Sequence, residues 1–219
     1  MTDYRKEFIR ELDRMAQRRN IVEVFGDVVG MMAAALERPT AKDPDEVEKR
    51  YMSYVERYTK DEMEHAPKLL AAVEMALEEK RESFLGPVLE AVGANNTRNG
   101  QFLTPACVAN MMARANMGKY VHTPGKVVTV NDPACGAGVT LIAQGEMLLH
   151  EKEVPQSDIL LIGGDIDRRA CDMTYVELTL LGYAAIVDHM DALAMKVLSP
   201  SRYTIGYFLH GMPMRGVAQ

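Results

Sequence analysis

The chain has 219 residues, 47% of them apolar, with a net charge of −6 and an isoelectric point near 5.4. That length and apolar content suit one large domain, or a small helical unit joined to an α/β one, and exclude a chain too short to bury a core. The acidic balance excludes the broad cationic surface that nonspecific nucleic-acid binding needs, so any DNA contact must be local or assisted by a partner.

From the N-terminus the pattern is helical. Tyr4, Phe8, Leu12 and Met15 recur at helical spacing among charged residues and predict one amphipathic helix. Residues 21–37 predict a more apolar helix that stops at Pro39, with Gly26 and Gly30 allowing a close backbone approach. Asp43 before Pro44, and Thr59 with Glu62, are helix-start signals, and Pro67 kinks or restarts the helix after the second. Tyr51, Tyr54, Tyr58, Met63 and Met75 read as core filler rather than a cofactor box. The polar stretch GANNTRNGQ at 93–101 separates this part from the remainder of the chain, giving a helical unit over 1–93 and a second unit over 94–219.

Past that boundary the pattern alternates. Helices are predicted over 105–117, 139–150 and 168–181, and strands over 127–130, 159–162, 184–187 and 203–209. This order predicts a mostly parallel, doubly wound α/β sheet. In such a sheet a ligand lies across the carboxyl ends of the strands, beside the switch point. Acidic residues fall at those ends: Asp132 after Asn131, then Asp165 and Asp167, then Asp191, around the glycine loop of NDPACGAG.

The loop lacks the third glycine of a dinucleotide fingerprint, and Asp132 would oppose a pyrophosphate. A ligand with an ammonium and a ribose diol suits these residues better, because Asp132 can accept from the one and Asp165 from the other. S-adenosylmethionine fits that description. No metal site is expected: Cys107, Cys135 and Cys171 are scattered without metal spacing and read as reduced thiols. The charged start MTDYRKEFIRE, and the lack of any run near the roughly 18 apolar residues of a membrane span, predict a soluble cytoplasmic protein.

The motifs QFLTP (101–105), DPACGAG (132–138), GGDID (163–167) and IVDHMDAL (186–193) stand in the order found in adenine-N6 DNA methyltransferases of the type I restriction-modification kind, which this chain resembles. The resemblance implies a Rossmann-like S-adenosylmethionine-dependent methyltransferase sheet, shortened after its fourth strand and preceded by an all-α domain. It implies that Phe102, Thr104 and Pro105 border the methionine end of the cofactor, Thr104 also serving as a helix N-cap with Pro105 at the first helical position. Asp132, Gly136 and Gly138, with Pro133 and Ala134 in the same loop, would cradle the methionine moiety. Asp165 would hold the ribose, Ile166 the adenine face, and Asp191 the adenine amino group. Asp167 reads as the cap of the next helix and His189 as a loop residue.

Members of the family carry Asn-Pro-Pro-aromatic after the fourth strand, where an amide and a backbone carbonyl accept from the weakly nucleophilic adenine amine and a ring stacks on the flipped base. Here that place reads Gly211, Met212, Pro213, Met214, and no asparagine follows Asn131. With the chain expected to stop soon after strand 203–209, that strand would be an exposed parallel edge. A second copy, a partner subunit or the N-terminal helices would have to cover it. The function expected is an S-adenosylmethionine-binding, N-6 adenine DNA methyltransferase-like protein that reaches DNA through a partner, as a homodimer or hetero-oligomer. The alternative is a noncatalytic cofactor-binding regulator of restriction-modification.

Overall fold

The computed structural model describes residues 3–17, 19–93 and 104–212. Helices begin where the sequence supplies a cap. Asp3 accepts from Lys6 N at 3.1 Å ahead of α1 (Tyr4–Ala16), and Asn20 from Val22 N at 2.9 Å ahead of α2 (Ile21–Glu37). Pro39 turns the chain through a 3-10 segment, and Asp43 then caps α3 (Pro44–Val55). Thr59 and Glu62 form the expected capping box of α4 (Lys60–Met63). Pro67 sits in the first turn of α5 (Ala66–Glu79), and α6 (Leu85–Gly93) completes the helical part. A Cβ on Gly30 would lie 2.6 Å from the Tyr54 ring, so this glycine does allow α2 and α3 to meet closely. Met75 departs from the core-filler expectation: it is 46% exposed.

The second part runs α7 (Ala106–Met117), β1 (Val128–Asp132), α8 (Val139–His150), β2 (Ile159–Asp165), α9 (Arg168–Leu180) and β3 (Ala184–Asp191). β1, β2 and β3 are parallel neighbours in that order, and the strands extend two to four residues beyond the predicted ends. Val130, Leu161 and Val187 face α8 and α9 in one apolar cluster that continues through Phe25 to Phe8 in the N-terminal helices. That shared core makes the helical part a buttress for the sheet, chiefly through α2 on α9.

The same junction holds a buried carboxylate. Glu177 of α9 is wholly buried and accepts from both Phe84 N and Leu85 N at 2.6 Å, where α6 begins. Burial pushes its carboxyl up to about 7, with the two N–H donors pulling the other way. Between that value and the ordinary glutamate range the folded chain keeps a proton that the unfolded chain has lost. Acidification from pH 7.5 to pH 5 is therefore expected to add about 2 kcal/mol of stability through this group. Urea unfolding across that range should show the slope, and Glu177→Gln should flatten it.

The segment 203–209, predicted as a parallel fourth strand, is not one. After β4 (Lys196–Val197), which pairs antiparallel with the end of β3, comes a two-residue β5 (Arg202–Tyr203), also antiparallel to β3, and then helix α10 (Ile205–Leu209). Thr204 explains the break. Its hydroxyl donates to Tyr183 O at 2.7 Å and accepts from Ala185 N at 2.9 Å, so a side chain occupies the ladder where a strand backbone would continue. Gly206 comes next but one, with no room for a side chain: a Cβ would sit 2.5 Å from Tyr183 O. The edge of β3 is thus covered from within the chain, and Thr40 of the helical part adds a bond to Tyr203 O at 3.1 Å. Of the three parallel strands it is β1 that pairs on one side alone among the described residues, with Thr129 and Asn131 exposed.

Candidate functional site

At the end of β1 the chain turns through two glycines in left-handed conformations, Gly136 (φ 55°) and Gly138 (φ 78°), which side-chain-bearing residues rarely adopt. Gly138 is the N-cap of α8. Asp132 fixes the near side of the turn: one oxygen accepts from Ala134 N at 3.1 Å and the other from the Thr140 hydroxyl on α8. Cys135 N donates to Gly164 O at 2.9 Å, so the turn stays bonded to β2 beyond the end of β1. A Cβ on Gly164 would meet Met190 Sδ at 2.8 Å, so the glycine leaves room for that side chain beside the turn.

Asp165, the last residue of β2, ties the site together. One oxygen accepts from Gly136 N and the other from Asp167 N, each at 2.9 Å, so it anchors both the glycine turn and the approach to α9. Asp167 caps that helix, accepting from Arg169 N at 2.9 Å. Between them Ile166 is 61% exposed, an apolar side chain presented at a polar strand end. His189 is not a loop residue as expected: it lies within β3 opposite Asp165, and its Nε2 donates to Ile166 O at 3.0 Å, steadying this corner.

The strand register sets the spacing of the acids. Asp132 is opposite Gly163, two residues short of Asp165, and Asp165 is opposite His189, two residues short of Asp191. All three share one face of the sheet, stepping about 8 Å from Asp132 to Asp165 and about 8 Å again to Asp191, given the usual strand rise and spacing. They line an extended track rather than closing on one point. Asp132 and Asp165 share the glycine turn. Asp191 stands at the far end, accepting from Ala194 N at 2.9 Å in the hairpin before β4.

Other expected positions are placed differently. The N-cap of α7 is Pro105, whose carbonyl accepts from Val108 N and Ala109 N, and no side chain caps the helix; Thr104 lies one residue too early for that role. Phe102 falls outside the described residues. Gly211 and Met212 follow helix α10 rather than a strand, and Met212 is buried with Ile162, Ala184, Ile186 and Tyr207 on the β3 side of the sheet. Pro213 and Met214 lie outside the described residues. Thr140 and Thr174, which hold the turn, carried no signal in the sequence, because threonine inside a helix marks nothing until its partner is known.

The site's charge selects its ligand. Asp132 and Asp165 are both partly exposed, while the nearest cations are engaged: Arg168 lies 3.4 Å from Asp172, and Arg169 lies 3.6 Å from Asp167. Two carboxylates with lone pairs to spare, beside an exposed aliphatic side chain, suit a ligand with a cationic group, hydroxyls and a flat apolar ring. Nucleophilic chemistry is excluded at Cys135 and Cys171, whose thiols are buried and, in Cys171, pushed up to about 12 by that burial. A separate cavity of about 350 Å³ lies between the α5–α6 connection and α8, lined by Arg81, Ser83, Asn110, Ile142, Glu146 and His150. Its lining also includes Ala106 and Val139, the first residues of α7 and α8.

The N-6 DNA methylase family model matches residues 85–199, just over half of the chain. A solved structure from Listeria monocytogenes, described as a class I S-adenosylmethionine-dependent methyltransferase, is similar with a TM-score of 0.52 at 19% identity. The similarity covers 91% of this chain and 57% of that one, so this chain spans little more than half the length of the protein it matches. No curated protein matches. The likeness establishes the fold as that of a class I S-adenosylmethionine-dependent methyltransferase.

Proposed function

Because the chain belongs to the N-6 DNA methylase family, whose cofactor is S-adenosylmethionine, we propose that it is a cofactor-binding, N-6 adenine DNA methyltransferase-like protein that depends on further polypeptide for DNA recognition and methyl transfer. The observation that carries this reading is Asp165, held by two backbone N–H groups at 2.9 Å beside exposed Ile166. In this reading Asp165 takes the ribose hydroxyls and Ile166 the adenine face. Asp132, Gly136 and Gly138, flanked by Pro133 and Ala134, take the methionine moiety. Phe102, Thr104 and Pro105 border its end, and Asp191 accepts from the adenine amino group. The bound cofactor supplies the activated methyl group; this chain's own residues orient it.

Dependence on more polypeptide is supported by two features. The chain moves outward from β1 to β3 on one side only, so the switch point of a doubly wound sheet, where the substrate would enter, falls on the unpaired side of β1. Among the described residues the family's tetrapeptide has no counterpart there, since Met212 packs against Ile162, Ile186 and Tyr207 on β2, β3 and α10. DNA is the proposed substrate, reached through a partner subunit or a second copy within a cytoplasmic restriction-modification system. No helix of the described residues is long and apolar enough to cross a membrane. Residues 1–93 are proposed as the helical unit and 94–219 as the cofactor unit.

A second reading is favoured by Met212, sealed at 7% exposure in an apolar cluster where it offers nothing to a target base. On that reading the chain is a noncatalytic cofactor-binding regulator. A tritiated-methyl transfer assay on DNA, run beside cofactor calorimetry, separates the two. The first reading expects binding without labelling by the chain alone, and labelling once its co-purifying partner is added. Binding with no labelling under any partner would favour the regulator. Labelling by the chain alone would contradict partner dependence, and absence of binding would contradict both.

A further inference from the structure

Thr174 lies on α9 and is fully buried, yet its hydroxyl does not bond within its own helix. A helical threonine commonly donates to the carbonyl four residues back, and Thr179 does so, to Tyr175 O at 2.7 Å. The Thr174 hydroxyl instead donates to Gly136 O at 2.9 Å, across 38 residues of sequence. Cys135 Sγ approaches the Thr174 hydroxyl oxygen at 3.6 Å. A Cβ on Gly138 would sit 3.0 Å from it, so the left-handed cap of α8 rests directly on this side chain.

We infer that Thr174 is a positioning residue for the cofactor turn, an assignment that rests on the function proposed above. A trans peptide points its C=O and N–H in opposite directions. With Gly136 O turned onto Thr174, the N–H of Ala137 is directed away from α9. With Gly136 N held by Asp165 at 2.9 Å, the peptide on the other side of Gly136 is fixed as well. Gly136 has no side chain to restrict it, so these two bonds set the orientation of the turn before any ligand arrives. Thr174 thereby preorganises the loop from beneath without touching the ligand.

Calorimetric titration of S-adenosylhomocysteine into the wild-type chain, Thr174→Val and Thr174→Ser tests this. Valine keeps the shape and removes the hydroxyl; serine keeps the hydroxyl. Loss of one buried hydrogen bond that preorganises the turn is expected to raise Kd about tenfold in the valine variant, with the serine variant within about twofold of wild type. If the valine variant does not fold, Thr174→Ala, which cannot overfill the site, repeats the comparison. A valine variant that melts lower but binds as tightly as wild type would show a purely structural role and overturn the inference. So would a serine variant as weak as the valine one. Wild-type protein that takes no ligand would bring down the functional reading itself, and this assignment with it.

Discussion

Asp165→Ala is expected to weaken S-adenosylmethionine binding by about a hundredfold or more. The substitution removes an acceptor from two backbone N–H groups, Gly136 N and Asp167 N, each bonded at 2.9 Å. Hydrogen bonds to a charged group contribute about 1.5–3 kcal/mol each, and about 1.4 kcal/mol is a factor of ten, so losing both amounts to about one to two orders of magnitude if half of the effect reaches the ligand. The ribose acceptor is lost in addition. Asp165→Asn, with one acceptor oxygen and a donor turned on an N–H, should fall in between. Calorimetric titration measures both, and a change below about threefold for the alanine variant would remove Asp165 from the site.

Arg202→Ala is expected to cost about 3–5 kcal/mol of stability, because it leaves a buried carboxylate without its main partner. Arg202 is 4% exposed; its guanidinium lies 2.6 Å from Asp172 Oδ1, 3.9 Å from Glu37, and over the Tyr175 ring at 5.0 Å. Arg50 of α3 also pairs with Glu37, so the cluster joins α2, α3, α9 and β5. Among the described residues Asp172 keeps the ion pair with Arg168, at 3.4 Å, once Arg202 is gone. Urea unfolding should show the loss, and Arg202→Ala with Asp172→Ala together should recover part of it. Because Arg202 is half of the β5 pairing that covers β3, the single variant should also aggregate more readily. A loss under 1 kcal/mol would mean that the cluster adds nothing beyond packing.

The helical part was legible because its signals are local. Asp43 and the Thr59–Glu62 pair sit where helices start, and Phe8, Leu12 and Met15 keep helical spacing. The acids at the strand ends were legible for the same reason, since an acidic residue after an apolar run before a glycine turn is a sequence pattern. The run YTIGYFL misled because its aromatic and β-branched residues favour a strand. The deciding facts, a threonine hydroxyl in the β3 ladder and a glycine 2.5 Å from a carbonyl, exist only after folding. Strand order was not legible either: nothing local to residues 128–132 says that one side of that strand has no neighbour among the described residues. Thr174 stayed invisible because its partner is 38 residues away.

A crystal structure of the chain with S-adenosylhomocysteine tests the central claim most directly. The ligand is expected along the strand ends, its ribose hydroxyls within hydrogen-bond distance of Asp165, its adenine against Ile166, and its methionine moiety at the turn from Asp132 to Gly138. Density in the cavity between Arg81 and His150 instead, or none at millimolar ligand, would contradict it.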